Sequence, residues 1–254
     1  MATGVLVLGV NRATRLLGHL MLTDKEYVAT IRLGASTVTD DKEGDVISET
    51  SATHVSDDDI GRAVEPFRGD IEQVPSSVSA IKVDGQRSYA RVRAGEDVAL
   101  KSRPVRVEAF DVNDIRAAGD FCDVDVRVVC SSGTYIRALA RDLGDALGVG
   151  GHLTMLRRTR VGPFTLEHAR TLDELGEEFG VIDLDAVARL TFPAFEASEA
   201  QAQDIRFGRA LAAVELGASG PVAVFAPGGE FLALYQAAGS GAKAVAVFAT
   251  VSGP

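Results

Sequence analysis

The amino-acid sequence predicts an α+β protein: a mixed, largely antiparallel sheet flanked by helices, followed by a small C-terminal β-domain. Three observations predict it. Period-two runs at Lys25–Gly34, Val105–Ile115 and Cys122–Val129 read as strands with one buried face. A helix-period apolar stripe runs from Tyr135 to Leu147. From about residue 195 onward the composition shifts to Ala, Gly and Val, with short β-type runs. The expected domains are therefore residues 1–194 and 195–254.

Each element has a local reason. Ala2–Val10 is a short β-type run, and Asn11 opens a helical pattern carried by Ala13, Leu16, Leu17, Leu20 and Met21. Lys25–Gly34 places Tyr27, Ala29 and Ile31 on one face and Val28, Thr30 and Arg32 on the other. Ser36–Asp45 is polar and reads as an exposed loop turning at Gly44, with Asp40 and Asp41 in structural roles. Ser56, followed by Asp57–Asp59, caps a helix near Ile60–Phe67. Residues 73–106 form a long connection punctuated by Pro75, Gly85, Gly95 and Pro104, with a short helix possible at Ser88–Arg93. Val105–Ile115 and Cys122–Val129 pair as a hairpin across Ala117–Asp120. The next helix buries Ile136, Leu139, Ala140, Leu143, Ala146 and Leu147, takes Thr134 as its cap, and stops at Val149-Gly-Gly151. A strand follows at His152–Thr165 and an acidic helix at Thr171–Phe179. In the tail, Val222–Phe225, Phe231–Tyr235 and Val245–Val251 read as strands, the first two joined by a hairpin at Pro227-Gly-Gly-Glu230.

Composition excludes several classes. With 46% apolar and 24% charged residues the chain is not disordered. Its longest apolar runs, Val5–Val10 and Ala244–Ala249, are too short to span a bilayer. No basic stretch leads into an apolar one at the N-terminus, so a cytoplasmic location is expected; the further expectation is a monomer. Cys122 and Cys130 form no CxxC pattern, and the four histidines share no ligand spacing, so neither a structural metal nor a disulfide framework is expected.

The formal charge of −10 speaks against a polyanionic partner until its distribution is read. Seven basic residues stand against three acidic ones between Lys82 and Arg106, and five against two between Tyr135 and Arg160. The rest of the chain therefore carries −17, and a globally acidic protein can present a basic face. Solvated charged faces are the alternative reading.

Four stretches carry a resemblance. They are Ala2-Thr-Gly4 through Gly9 with Ala13-Thr14; Lys25-Glu-Tyr27 leading to Arg32-Leu-Gly34, Thr37, Thr39, Asp41 and Gly44; Val74-Pro75 through Ser79-Ala-Ile-Lys82 and Gly85 to Tyr89; and Cys130-Ser-Ser-Gly-Thr-Tyr-Ile-Arg137 with Asp142-Leu-Gly144, Gly151-His152 and Leu156-Arg-Arg158. Together, and in this order, they resemble the TruB family of tRNA pseudouridine-55 synthases over roughly residues 1–195.

The resemblance implies the pseudouridine synthase fold, a PUA-like C-terminal domain, and isomerisation of uridine 55 in the T-loop of tRNA without cofactor or metal. It implies a uridine pocket of Tyr27, Tyr135, Arg137 and Leu156. Read locally, Tyr27 could equally be a half-buried strand aromatic and Leu156 a core residue, while Arg137 could be solvated or paired with Asp142. Residues 74–106 resemble a thumb loop closing over RNA, with Lys82, Arg87, Tyr89, Arg91, Arg93, Lys101 and Arg103 suited to phosphate contact and stacking. Arg157 and Arg158 are further RNA-binding candidates. One departure matters: the family's His-x-Gly-Thr-Leu-Asp-Pro segment, with its nucleophilic aspartate, would stand just before Met1. The expectation is a pocket without its nucleophile, and Arg137 without its carboxylate partner. An internal start within a longer reading frame is favoured over a genuine fragment. The alternative function is a non-catalytic RNA-binding or RNA-folding protein.

Overall fold

Nine residues, Lys25–Leu33, half-buried at first and alternating in burial from Ala29 onward, form a central strand of the main sheet, and the rest of that sheet is built outward from it. The computed structural model describes residues 2–21, 23–78, 82–83, 86–87 and 100–249. In chain order the elements are β1 (Thr3–Gly4), α1 (Leu17–Leu20), β2 (Lys25–Leu33), β3 (Ala35–Thr37), β4 (Val46–Glu49), α2 (Asp57–Val64), β5 (Gly69–Gln73), β6 (Lys82–Val83), β7 (Gln86–Arg87), β8 (Arg103–Ala118), β9 (Phe121–Cys130), α3 (Ile136–Ala146), β10 (Gly151–Val161), β11 (Phe164–Thr165), α4 (Leu172–Glu177), α5 (Leu184–Thr191), β12 (Ala194–Glu196), α6 (Glu199–Arg206), β13 (Val222–Phe225), β14 (Phe231–Ala238) and β15 (Gly241–Val247). The expected α+β class holds. Contacts divide the chain into one unit of Met1–Leu6 with Leu22–Ala169, and another of Val7–Met21 with Arg170–Pro254.

In the first unit the sheet order is β1-β10-β2-β9-β8-β5, with β11 pairing β10. Only β1 runs parallel to its neighbour. One face is apolar because the strand periodicity is two: Ala29, Ile31, Leu33, Val124, Val126 and Val128 pack with Ile60 and Val64 of α2 and Ile136, Leu139, Ala140 and Leu143 of α3. Ser56 caps α2 as expected, its hydroxyl accepting the Asp59 N–H. Thr134 does not cap α3; Tyr135 holds the N-cap position, and Thr134 Oγ1 donates to the Ser131 carbonyl. Ala146 is exposed and Leu147 half-buried, so the buried stripe ends earlier than the sequence suggests.

Helix α3 approaches the start of β10 more closely than side chains permit. A Cβ added at Gly144 would lie 2.1 Å from both Gly150 C and Gly151 N, and one at Gly151 would lie 2.5 Å from the Ala140 carbonyl oxygen. This accounts for the Asp142-Leu-Gly144 and Gly151-His152 pattern. Gly144→Ala gains about 1 kcal/mol of helix propensity, yet must push two backbones apart. We expect a net destabilisation of about 1–3 kcal/mol, read as a lower urea midpoint.

The opposite face of the sheet carries paired charges. Arg32 binds Asp123 through two bonds of 2.8 and 2.7 Å. Thr30 Oγ1 donates to Asp125 (2.6 Å), which Arg116 also engages. Arg127 links Glu26 to Asp111. Arg116, and then Thr30, hold the Asp125 carboxyl below its ordinary range, with burial opposing them. A depressed carboxylate contributes stability above its unfolded value, and that contribution is lost as pH falls through the folded one. Between about pH 4 and pH 2, Asp125→Asn should therefore show a shallower loss of thermal midpoint than the parent.

In the second unit the sheet order is β12-β13-β14-β15, with β12 parallel and the others antiparallel. Residues 227–230 form the expected hairpin connection, Gly229 adopting φ +86°. Tyr235 is fully buried and its hydroxyl donates to the Arg209 carbonyl at 2.6 Å. The expected strand Val245–Val251 is instead β15, beginning at Gly241. The expected helix from Asn11 is a 3-10 turn, Asn11–Arg15, followed by α1.

Candidate active site

Cross-strand partners in a sheet share a face, and this fixes the first group. Tyr27 of β2 stands opposite Arg158 of β10, and Ala29 stands opposite Leu156. Tyr27 and Leu156 are half-buried at the border of the core to which Ile136 contributes. Burial raises the Tyr27 hydroxyl above its ordinary range, opposed by the Arg158 guanidinium nearby. Arg158 Nε also donates to the Val5 carbonyl (2.7 Å), and its own carbonyl accepts the Val5 N–H. A Cβ on Gly4 would meet that carbonyl oxygen at 2.1 Å, which explains Ala2-Thr-Gly4. Lys25 lies beside Arg158 and Cys130; burial first, then Arg158, lowers its ammonium, and burial pushes the Cys130 thiol up to about 11.

The second group surrounds Tyr135. The Gln73 side-chain amide at the end of β5 donates to the Tyr135 carbonyl (3.1 Å) and accepts the Tyr135 N–H (2.8 Å). Arg103, opposite Gln73 across the β5–β8 ladder, lies with its guanidinium carbon 5.8 Å from the Tyr135 ring centroid.

The third group surrounds Arg137. Its Nη1 donates to the Thr39 carbonyl and to Asp41 Oδ2, both at 3.0 Å, and its Nη2 donates to the Val78 carbonyl at 2.8 Å. A guanidinium has further donors, and among the described residues these three acceptors leave its Nε and one Nη2 proton uncommitted. Asp41 is fully engaged: Oδ1 accepts the Thr39 hydroxyl (2.6 Å) and the Glu43 N–H (3.0 Å). One turn along α3, Arg141 reaches Asp40 (3.3 Å), Asp142 (2.8 Å) and the Val74 carbonyl (2.7 Å). The partner of Asp142 is thus Arg141. Burial raises the Asp40 carboxyl, opposed by Ser76, Arg141 and Arg137.

The loop at residues 36–45 corrects the sequence reading. Thr37, Asp40 and Asp41 are buried rather than exposed. Asp41 forms a parallel bridge to Leu153, and the Lys42 N–H donates to the Leu153 carbonyl, so the segment docks on β10. Asp40 and Asp41 are both buried and paired with Arg141 and Arg137 of α3. Gln73 was missed altogether; its only sequence signal is a polar residue beside Val74-Pro75 at the end of a strand.

Of the RNA-binding candidates, Lys101 and Arg157 are exposed, Arg103 covers Tyr135, and Arg158 is tied to Val5 and stands near Tyr27. Lys82 and Arg87 pair in the β6–β7 ladder. Tyr89, Arg91 and Arg93, and with them the short helix expected at Ser88–Arg93, lie outside the described residues. Two open depressions, of about 410 and 460 Å³, are lined by Asp70, Glu72 and Arg106, and by His54, Asp59 and Arg62. Neither is lined by Tyr27, Tyr135, Arg137 or Leu156. The three bonded groups, not these shallow surfaces, define the candidate site.

Comparison with known proteins gives a consistent picture. Residues 1–136 match the family model "TruB family pseudouridylate synthase (N terminal domain)". Residues 137–189 match "tRNA pseudouridylate synthase B C-terminal domain", and residues 192–249 match "tRNA Pseudouridine synthase II, C terminal". Similar curated relatives include the tRNA pseudouridine synthase B of Arthrobacter sp. (strain FB24), 58% identical over 98% of this chain and 84% of the relative. That of Rhodococcus jostii (strain RHA1) is 57% identical over 97% of this chain and 81% of the relative. Among solved structures, a chain of "Crystal Structure of a Cbf5-Nop10-Gar1 Complex" matches with a TM-score of 0.66 and 26% identity, over 98% of this chain and 72% of that one. A chain of "Structure of H/ACA RNP bound to a substrate RNA containing 2'-deoxyuridine" matches in fold, with a TM-score of 0.65 and 23% identity over 96% of this chain and 71% of that one.

Proposed function

Because the chain belongs to the TruB family of pseudouridylate synthases, we propose that its pocket converts uridine 55 in the T-loop of tRNA to pseudouridine. The reaction breaks the N1–C1′ bond, turns the base, and forms C5–C1′; the proton lost from C5 is balanced by one gained at N1. The uridine must first leave its stack, at about a few kcal/mol. Tyr27 and Leu156, side by side on one sheet face, take the base against an aromatic ring and an apolar wall. Tyr135 completes the pocket. Arg137 is the observation that carries the reading. Its remaining Nε and Nη2 donors form one edge of the fork, the geometry that binds a carboxylate through two bonds and keeps it ionised.

No His-x-Gly-Thr-Leu-Asp-Pro segment occurs in the 254 residues. We propose that the nucleophilic carboxylate is not among them, and that this polypeptide alone binds tRNA without turnover. Residues 1–194 carry the pocket and residues 195–254 an accessory RNA-binding β-domain. Lys101, Arg103 and Arg157, with Lys82, Arg87, Tyr89, Arg91, Arg93 and Arg158, meet the tRNA backbone and loop. The test compares the 254-residue chain with one extended upstream through Gly-Thr-Leu-Asp-Pro, each incubated with unmodified tRNA and scored for pseudouridine by position. Product at position 55 from the extended chain alone is expected. Product from the 254-residue chain would overturn the proposed inactivity, and product at another position would overturn the substrate site. Binding without product from the extended chain would favour the RNA-folding alternative.

A further inference from the structure

Gln73 has no part in the family resemblance drawn above, yet it makes an unusual pair of bonds. It is 1% exposed, and a buried primary amide must satisfy both its ends. It does so on a single residue's backbone, donating to the Tyr135 carbonyl and accepting the Tyr135 N–H. In effect the side chain extends the β5 ladder sideways onto the N-cap of α3. Tyr135 has extended backbone angles there, φ −103° and ψ 105°, and its side chain forms no capping hydrogen bond. The Gln73 amide is therefore what fixes the plane in which the chain enters the helix.

Two neighbours reinforce that attachment. Arg103, the cross-strand partner of Gln73, covers the Tyr135 ring, within cation–π reach. The segment after Gln73 is tied to α3 twice more, Arg141 donating to the Val74 carbonyl and Arg137 to the Val78 carbonyl. The orientations of Tyr135 and Arg137 thus depend on how residues 73–78 lie against the start of α3.

We infer that Gln73 is a positioning residue for pseudouridine formation: its amide sets the backbone of Tyr135, and through it the pose of the Tyr135 ring and the Arg137 guanidinium. The inference rests on the proposed function for its catalytic consequence, but not for the bonds themselves. A misplacement of about 1 Å can cost about 10²-fold in rate.

Two measurements test it separately. In the 254-residue chain, Gln73→Leu should accelerate hydrogen exchange at the Tyr135 amide and shift the Tyr135 ring signals in a 13C-tyrosine spectrum. The Tyr27 signals, from β2 of the same unit, should stay in place and report that this unit remains folded. In the chain extended through Gly-Thr-Leu-Asp-Pro, the same substitution should lower single-turnover rate at least tenfold with tRNA affinity within twofold of the parent. Gln73→Glu supplies the control against misfolding. A protonated carboxyl can donate to the Tyr135 carbonyl and accept its N–H, whereas a carboxylate faces that carbonyl repulsively. Its rate relative to the parent should therefore recover as pH is lowered toward 5. An unchanged Tyr135 amide, a parallel loss of rate and affinity, or a Gln73→Glu chain as impaired at pH 5 as at pH 8 would each overturn the inference. If the unsubstituted extended chain makes no pseudouridine, the proposed function fails, and the exchange measurement still decides whether Gln73 sets Tyr135.

Discussion

Replacing Arg137 by alanine is expected to lower pseudouridine formation by about 10²- to 10³-fold, while tRNA affinity changes little. The guanidinium holds the Thr39 and Val78 carbonyls and Asp41 through Nη1 and Nη2, and in the proposed function its two remaining donors bind the reacting carboxylate. In that function its loss removes a charge that would act on the reacting carboxylate and not on the phosphate backbone, so rate should suffer before binding. Arg137→Lys should not rescue, because an ammonium cannot span three acceptors and still offer a planar pair of donors. Single-turnover rates and filter binding in one buffer distinguish the outcomes; a matched loss in both would make Arg137 an RNA contact only. A stability cost accompanies the change. The Asp41 side chain is 8% exposed and would be left without its cationic partner. Removing one partner of a buried pair costs about 3–5 kcal/mol, and the lower end applies here because the Arg137 side chain is 23% exposed.

How much of this was legible in the sequence depends on the range over which each signal acts. The β8–β9 hairpin and helix α3 are written in local periodicity, and both stand within a few residues of where that periodicity puts them. Gly144 and Gly151 could be seen as motif positions, but their reason lies in the meeting of two backbones. The loop at 36–45 was misread because its polarity is local and its burial is not. Asp41 is acceptable in the interior only when Arg137, 96 residues later, reaches it. The same holds for Gln73, whose partner is 62 residues away. Tyr27 and Arg158 were each identified, but only strand register sets them opposite one another. Thr134 looked like a helix cap by residue type, yet its hydroxyl is already used on Ser131. Residue type suggested the chemistry proposed for the site; the pairing of distant charges, which decides its geometry, required the fold.

Asp41→Asn isolates that pairing with the smallest change in shape. In the native site one carboxylate oxygen accepts from Thr39 and Glu43 and the other from Arg137. An amide has a single acceptor oxygen. With that oxygen toward Thr39 and Glu43, its NH₂ faces the guanidinium; turned the other way, the NH₂ faces the Glu43 N–H. Neither orientation satisfies all three donors. The loss of one charge-assisted bond should cost about 1.5–3 kcal/mol, read as a lower urea midpoint. Because Arg137 keeps the Thr39 and Val78 carbonyls, its position should loosen without being abandoned. The turnover of an extended chain should therefore fall by about 10- to 100-fold, less than for Arg137→Ala. The double substitution should be little worse than Arg137→Ala alone, since both changes act through one contact. Fully additive losses would show that Asp41 and Arg137 act separately, and that the buried pair is incidental to catalysis.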